Sequence, residues 1–271
     1  MGWHTAYEKL GMQLEHLIDN LHLEDFRNIS HPSIFDDNEE YDMLIVRLPV
    51  ITEKLDATSV GFLLTDKNSY TYNKDTNTFE ELSSRFEGPY KIIDKLTDKV
   101  LKSFINYQEK IADMEELLYK GNIKENFMHE WLSLKLDISR IERILLRTVN
   151  TVDDFMQHYK SLEDFPINNY VDIHEHLDRT MRSAVLQLSK LDDLYSFYSA
   201  KSNEKMNRLI YVLTIISAIF LPLNLVVGFF GMNTSNLPFS QEPSGTLAAV
   251  SIMVSLFVAT SLIVYKWHKK V

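Results

Sequence analysis

The sequence predicts a membrane protein of the α+β class, in which a strand-rich N-terminal region is followed by long helices and two C-terminal membrane spans. Three observations predict this class. Residues 41–82 are rich in β-branched and aromatic residues that partly alternate with polar ones. Residues 90–162 contain few helix breakers and follow helical spacing. Residues 209–265 are almost free of charge and strongly apolar.

The composition excludes several classes of protein. The formal net charge of −10 over 271 residues argues against a nucleic-acid partner, because phosphate backbones are bound by clustered Lys and Arg. Cysteine is absent, so thiolate metal sites, disulfides and cysteine nucleophiles are excluded. No phosphate-binding glycine loop, nucleophile elbow or HExxH motif occurs. We therefore expect a protein that is not an enzyme and uses no organic cofactor.

The N-terminal region is expected to form an α/β subdomain. A short helix is predicted at Gln13–Asn20 and an acidic loop at Phe35–Tyr41. The strands that follow are expected to be interrupted at Pro49 and Gly61, and a turn is predicted at Asp66–Asn68. The N-terminal segment contains charges and histidine where a signal peptide would be apolar, which indicates that the chain begins in the cytosol.

Long helices are predicted next. Segments 90–119 and 124–162 should pack antiparallel across a turn at Gly121-Asn122. A third helix should run from residue 169 to 232, roughly 95 Å, and form a stalk continuous with the first membrane span. Its apolar stripe should be covered by other subunits or by the two preceding helices; the stripe consists of Leu177, Met181, Ala184, Leu188, Leu191 and Leu194 or Tyr195. The predicted divisions are 1–88 (α/β subdomain), 89–165 (helical hairpin), 166–208 (stalk) and 209–271 (membrane domain).

Two membrane spans are predicted, at 209–232 and 246–265, joined by an outer loop at 233–245. Between Leu209 and Tyr265 there is no Lys, Arg or Asp, and Glu242 is the one acidic residue. Each span has about the 20 apolar residues that cross a bilayer. The alternative, a buried helical hairpin of a soluble protein, is disfavoured because core helices rarely contain such long apolar runs.

The flanks of the spans predict the orientation. Basic residues lie before the first span and after the second, and the loop between them has none; they are Lys201, Lys205, Arg208, Lys266, Lys269 and Lys270. The positive-inside rule then predicts that both termini lie in the cytoplasm. We expect the protein to lie in the inner membrane of the cell.

One face of the first span carries polar and small residues among apolar ones. Counting back from Asn233 at helical spacing gives Gly228, Asn224, Leu221, Ser217, Leu213 or Thr214, and Ile210. Asn224 would be costly against lipid, so it should face water or a partner, although a hydrogen bond to a neighbouring helix alone would also satisfy it. Pro222 removes one helical hydrogen bond and should bend the span. We expect a hydrophobic gate at Leu221 and Leu213.

The tripeptide Gly231-Met232-Asn233, at the outer end of the first of two C-terminal spans, resembles the signature of the CorA family of divalent-cation channels. The resemblance extends over Met206–Asn233, Leu237-Pro238, the short second span and the basic tail. It implies a funnel-shaped homopentamer in the lipid membrane, in which five first spans line the pore and the second spans form an outer ring. It also implies that Mg²⁺ is transported, with Co²⁺ and Ni²⁺ as further cargo.

The resemblance also implies roles for particular residues. Gly231, Met232 and Asn233 would form the selectivity filter, and a ring of Asn233 amides would accept hydrogen bonds from hydrated Mg²⁺ without holding it too tightly to leave. The chain departs from the family at Phe230, where tyrosine is usual, and in the outer loop, where Glu242 is the one acid that can substitute for a missing acidic residue. The first alternative is Zn²⁺ transport as in the ZntB branch, either coupled to protons or uncoupled. The second alternative is a membrane-tethered regulatory or scaffolding protein.

Regulatory cations in this family bridge acidic groups between cytosolic subunits. Ser196 stands where the regulatory aspartate is expected, and Asp192 and Asp193 lie one turn earlier. We expect these two residues to face acidic residues of a neighbouring subunit, with Mg²⁺ between them; the acidic residues are Asp36, Asp37 and Asp42. The alternative hypothesis is that Asp36–Asp42 is a solvated acidic loop without a ligand.

Overall fold

The computed structural model describes residues 18–52, 54–121, 125–232 and 245–268. Most of the helix predicted at Gln13–Asn20 lies outside these residues. The elements, in chain order, are α1 (Asn20–Arg27), β1 (Ile34–Asp37), β2 (Asp42–Ile51), β3 (Leu55–Leu64), β4 (Ser69–Asn73), β5 (Thr78–Glu81), α2 (Glu87–Tyr119), α3 (Phe127–Tyr159), α4 (Ile167–Phe230) and α5 (Gly245–His268). The chain divides into two compact units, one ending at Tyr195 and one beginning at Ser196.

The first unit contains a five-stranded sheet with the order β1-β2-β3-β4-β5. Every neighbouring pair is antiparallel, so the label α/β applies only in the loose sense of helices beside a sheet. The longest pairing joins β2 to β3, from Asp42 opposite Leu64 to Ile51 opposite Leu55. The predicted turn after β3 is confirmed, since Thr65 N donates to Asn68 O over 2.9 Å.

Two details of the predicted strands were wrong. Phe35–Asp37 belongs to β1 and not to a loop, because Phe35 pairs with Leu44 and its ring lies 5.3 Å from that of Phe155. Pro49 lies inside β2 and does not interrupt it. The pairing with β1 ends at Ile45, so β2 has an uncovered edge at Pro49, where a missing N–H group is tolerated.

Gly61 lies inside β3 as well, where a side chain could not fit. A Cβ atom built on Gly61 would lie 2.4 Å from Cδ1 of Phe26, which is 1% exposed. Glycine in a strand often marks such a close approach. Gly61 therefore allows α1 to pack its phenylalanine directly on the sheet.

Both faces of the sheet are buried. On one face, Phe26 of α1 packs with Met43, Ile45, Tyr72 and Phe79. Residues of alternate parity on β2 point to the other face, where α2 and α3 pack against the strand; these are Leu44, Val46 and Leu48, each 1% exposed. The sheet is thus the middle layer of the unit.

The two helices after the sheet agree with the prediction to within a few residues. The hydroxyl of Tyr107 on α2 donates to Asp137 on α3 over 2.9 Å, and Leu117 and Glu130 line a common cleft, so the helices run antiparallel. α2 ends at Tyr119, and Gly121 follows with φ of 79°, a left-handed conformation that favours glycine.

The part of α4 that lies in the first unit buries an apolar stripe at heptad-like spacing. The buried members are Ile173, Leu177, Thr180, Ala184, Leu191 and Leu194. Leu194 and not Tyr195 continues the stripe, since Tyr195 is 42% exposed. The preceding helices contact this segment: Gln108 of α2 donates to Ser183 Oγ over 2.8 Å, and Trp131 of α3 donates to Leu191 O over 2.7 Å. The single chain therefore covers much of the stripe itself.

Candidate ion pathway along the first membrane span

Two helices among the described residues are long and apolar enough to cross a membrane, α4 and Gly245–Lys266 of α5. Their apolar windows are not buried within the chain. Large side chains such as Leu225 and Leu247, each 73% exposed, are left mostly uncovered by the protein itself. Lipid or further copies of the chain must cover surfaces of this kind.

The predicted polar face of the first span lies on one uninterrupted helix. Leu213, Leu221 and Ile210 are exposed, as are Ser217, Asn224 and Gly228. Thr214 returns its hydroxyl to the backbone, donating to Ile210 O over 2.8 Å. Pro222 lies inside the helix, between the Leu221 and Asn224 positions of the face. The residues of the predicted face therefore lie along one side of a single helix.

α4 ends at Phe230, immediately before the predicted filter. Gly231 N donates to Val227 O over 2.8 Å, and Met232 N donates to Phe229 O over 3.3 Å. A Cβ atom on Gly231 would lie 3.0 Å from Val227 O, so the glycine permits a tight end to the helix. Asn233 and Glu242 lie outside the described residues.

The predicted acidic residues of the sheet lie at the start of the β1–β2 pair. Asp37 and Asp42 are directly opposite each other in the antiparallel register. Each acid has a partner within the chain: Asp36 Oδ2 lies 3.1 Å from His22 Nε2, Asp37 Oδ2 lies 3.6 Å from His158 Nδ1, and Asp42 accepts from the Tyr159 hydroxyl. This end of the β1–β2 pair, the acidic corner, therefore carries Asp37, Asp42 and His158 on the face toward α3, and Asp36 with His22 on the opposite face, toward α1.

Tyr159 is buried in this corner. Burial, together with the neighbouring Asp42 carboxylate, raises the pKa of Tyr159 well above its ordinary value. The hydroxyl therefore stays protonated and donates to Asp42 throughout the physiological pH range. Sequence reasoning missed His22, His158 and Tyr159, because they reach the acids through tertiary contacts that no local spacing reveals.

The stalk acids are placed differently. Asp192 on α4 forms an ion pair with Lys135 on α3, and Asp193 and Ser196 are exposed. Within the described ranges, no group of three or more His, Asp or Glu side chains of one chain could hold a metal ion.

Comparison with known proteins identifies the family. Residues 10–267 match the family described as CorA-like Mg²⁺ transporter protein. The chain is 24% identical to the putative metal ion transporter YfjQ of Bacillus subtilis over 66% of the chain and 56% of that protein. It is 20% identical to the cobalt/magnesium transport protein CorA of Methanocaldococcus jannaschii, over 82% of the chain and 75% of that protein.

Solved structures show the same fold. The CorA magnesium transporter of Methanocaldococcus jannaschii superposes with a TM-score of 0.73 at 16% identity, covering 95% of this chain and 85% of that one. The full-length CmaX protein gives 0.66 at 17% identity, covering 92% of this chain and 81% of that one. The named relatives are transporters and not enzymes. The chain belongs to the CorA-like Mg²⁺ transporter family and is a membrane protein of this family of divalent-cation transporters.

Proposed function

We propose that the chain assembles as a homopentamer that admits divalent cations, Mg²⁺ above all, to the cytosol through a central pore lined by the first span. The observation that carries the proposal is the polar face of α4. Asn224 and Ser217 lie on the same side of an apolar span and are exposed in the single chain. Polar side chains at such depth are expected to face a water-filled cavity or a partner, and not lipid.

Five copies would place five such faces around one axis. Gly228, Asn224, Leu221, Ser217, Thr214, Leu213 and Ile210 would then form successive rings. The polar rings would supply amide and hydroxyl oxygens to a hydrated ion, and the apolar rings would lack them. Leu221 and Leu213 would close the pore by excluding water, and Pro222 would allow the span to bend beside the Leu221 ring.

The filter of this pore would be Gly231-Met232-Asn233. Since α4 ends at Phe230, these residues follow the helix directly, and five copies of Asn233 would meet at the pore mouth. Neutral amide oxygens suit Mg²⁺, which gives up its water shell reluctantly and is bound through those waters. Carboxylates would hold the ion more strongly and slow its release. Glu242 of the outer loop would raise the local cation concentration.

The driving force needs no pump. Both termini lie in the cytoplasm in this proposal, so ions move from the outer loop toward the stalk. A membrane potential of about 100 mV contributes roughly 2.3 kcal/mol per elementary charge, and a divalent ion gains roughly twice that on entry. The cytosolic part would then consist of segments 1–88, 89–165 and 166–208. The membrane part would consist of residues 209–271.

A pore driven in this way must close when the cytosol holds enough Mg²⁺. We assign this closure to Mg²⁺ bound between two subunits. One subunit would contribute Asp192 and Asp193, and the next would contribute its acidic corner, Asp36, Asp37 and Asp42. Facing carboxylates repel each other unless a cation lies between them. Loss of the ion would separate the subunits and open the pore.

Zn²⁺ is the second candidate cargo. The chain is 25% identical to the zinc transport protein ZntB of Pectobacterium carotovorum, over 61% of the chain and 50% of that protein. The divalent cation transporter CmaX of Pseudomonas aeruginosa is 24% identical over 58% of the chain and 47% of that protein. In this second candidate, Zn²⁺ transport could be coupled to proton movement. Uptake driven by the membrane potential alone needs no such coupling.

The test is ion flux into proteoliposomes that contain the full chain. Asn233→Ala should abolish Mg²⁺ uptake and leave the oligomer intact, as checked by native mass spectrometry. Asn236→Ala, which removes another amide from the same loop, is the matched control and should retain uptake. Undiminished uptake by assembled Asn233→Ala protein would remove the filter from the proposal. Zn²⁺ uptake that exceeds Mg²⁺ uptake, or that requires a pH gradient, would favour the second candidate.

A further inference from the structure

A small cleft in the first unit is lined by four arginines. Its volume is about 230 Å³, and it lies between β2, the segment before β1, and α3. The lining consists of Arg47, Arg140, Arg143 and Arg147 with Pro32, Ser33 and Ile144. Four arginine residues at one cleft are unexpected in a chain of formal net charge −10.

The arginines converge because of the helix period and one anchored strand. Arg140, Arg143 and Arg147 are spaced by three and four residues, so they share one face of α3. Arg47 comes from β2, and the Arg47 carbonyl accepts from Thr148 Oγ1 over 2.6 Å. Ser33, which is buried, joins both sides: its Oγ accepts from Arg47 N over 2.8 Å, and its carbonyl accepts from Arg147 Nε over 2.9 Å. Partly buried hydrogen bonds thus fix the scaffold of the cleft.

The charges of these arginines are not neutralised within the described part of the chain. No Asp or Glu carboxylate of those residues lies within ion-pair distance of any of the four. Their hydrogen bonds go to backbone carbonyls: Arg47 to Ser30, Arg140 to Leu55, Arg143 to Ser139 and Arg147 to Ser33. The Nε atom of Arg47 is buried and has no partner among the described residues.

A fifth cationic side chain, that of Lys74, lies near Arg47. Burial and the nearby guanidinium of Arg47 lower the pKa of Lys74, whose ammonium donates to Asn28 O over 3.2 Å. By contrast, Arg182 forms an ion pair with Asp178, and Lys91 forms one with Glu87. Like charges gathered without an anion destabilise the fold, so a bound anion would relieve their repulsion.

We propose that this arginine cleft binds a soluble, multiply charged phosphate, such as the triphosphate group of a nucleotide. Arginine presents paired N–H donors that match phosphate oxygens, and charge-assisted bonds of this kind are strong. Pockets that enclose a whole drug-sized ligand measure about 300–1,000 Å³. The smaller arginine cleft therefore suits the phosphate groups, with any attached group left in solvent.

The charge of the ligand should control its affinity. Mg²⁺ chelated by a triphosphate cancels two of its negative charges, so the metal-free anion should bind the arginine cleft more tightly than its Mg²⁺ complex. This expectation concerns binding alone and holds whether or not the chain transports Mg²⁺.

The experiment measures binding of inorganic triphosphate to the full chain in detergent by isothermal titration calorimetry. Arg143→Gln is the main variant, because the hydrogen bond that this side chain makes among the described residues is to Ser139 O of its own helix. We expect its affinity to fall by about tenfold or more, the loss of one charge-assisted contact. Arg179→Gln, which removes an exposed arginine from α4, is the matched control and should bind as the native protein does. Thermal unfolding without ligand checks that both variants fold.

Each outcome decides the proposal. Tight binding that Arg143→Gln weakens and Arg179→Gln leaves unchanged supports it, as does weaker binding when Mg²⁺ is added. Absence of binding by the native chain overturns it and would leave an acidic surface of a second copy as the partner of the arginines. Equal affinity of native and Arg143→Gln protein, or binding to anionic phospholipid nanodiscs with none to triphosphate, overturns it as well.

Discussion

Lys135 on α3 and Asp192 on α4 form an ion pair that joins the two helices near the end of the first unit. The ammonium of Lys135 also lies 5.1 Å from the centre of the Trp131 ring, which stacks on Tyr195 at 4.9 Å. The Lys135 side chain is 36% exposed and that of Asp192 58%, so the pair contributes at most about 1 kcal/mol. A divalent cation with ligands from two subunits could therefore displace Lys135 from Asp192.

The ion pair between Lys135 and Asp192 predicts opposite effects of two sets of substitutions on regulation. Asp192→Asn combined with Asp193→Asn should lower the sensitivity of flux to internal Mg²⁺ and leave ion preference unchanged. Lys135→Gln should do the opposite, because it frees Asp192 from its competitor and lets Mg²⁺ close the pore at a lower concentration. Flux from proteoliposomes at graded internal Mg²⁺ measures both. Inhibition at the same concentration in all three proteins would show that Asp192 and Asp193 are not the sensor.

The proposed gate predicts a leak. Leu221→Asn would place polar groups at an apolar constriction, admit water and raise flux under conditions that close the native protein. Leu223→Asn makes the same change about 200° around the helix, on the opposite face, and should not raise the leak. Dye-reported Mg²⁺ entry in the presence of high internal Mg²⁺ measures the difference. A tight Leu221→Asn pore, or equal leak through both variants, would place the constriction elsewhere.

The close contact between Gly61 and Phe26 predicts a stability effect outside the membrane. Gly61→Ala puts a methyl group into the Phe26 ring, and overpacking of this kind costs about 1–3 kcal/mol. Phe26→Leu makes room, so the double variant should lose less stability than the two single losses added together. Melting temperatures of the full chain in detergent provide the comparison. Strictly additive losses would contradict the steric explanation.

Much of the architecture was predictable because it depends on local pattern. Helices α2, α3 and α4 follow from uninterrupted 3.6-residue spacing, and the apolar spans follow from the absence of charge between Leu209 and Tyr265. The stripe on α4 was predicted for the same reason, and burial of Leu177, Ala184 and Leu191 confirms it. The filter tripeptide was recognisable from its position at the end of a span, although its role stays a prediction.

The sequence by itself determined the order of the elements, the two spans and the polar face, since each depends on residues close together along the chain. Tertiary structure decided which residues meet across long separations. Phe35 entered a strand through its contact with Phe155, and Gly61 stayed in a strand because Phe26 fills the space above it. Arg47 met the arginines of α3 only because β2 packs on that helix. Such contacts depend on the register of the sheet and the rotation of helices, which local spacing does not encode.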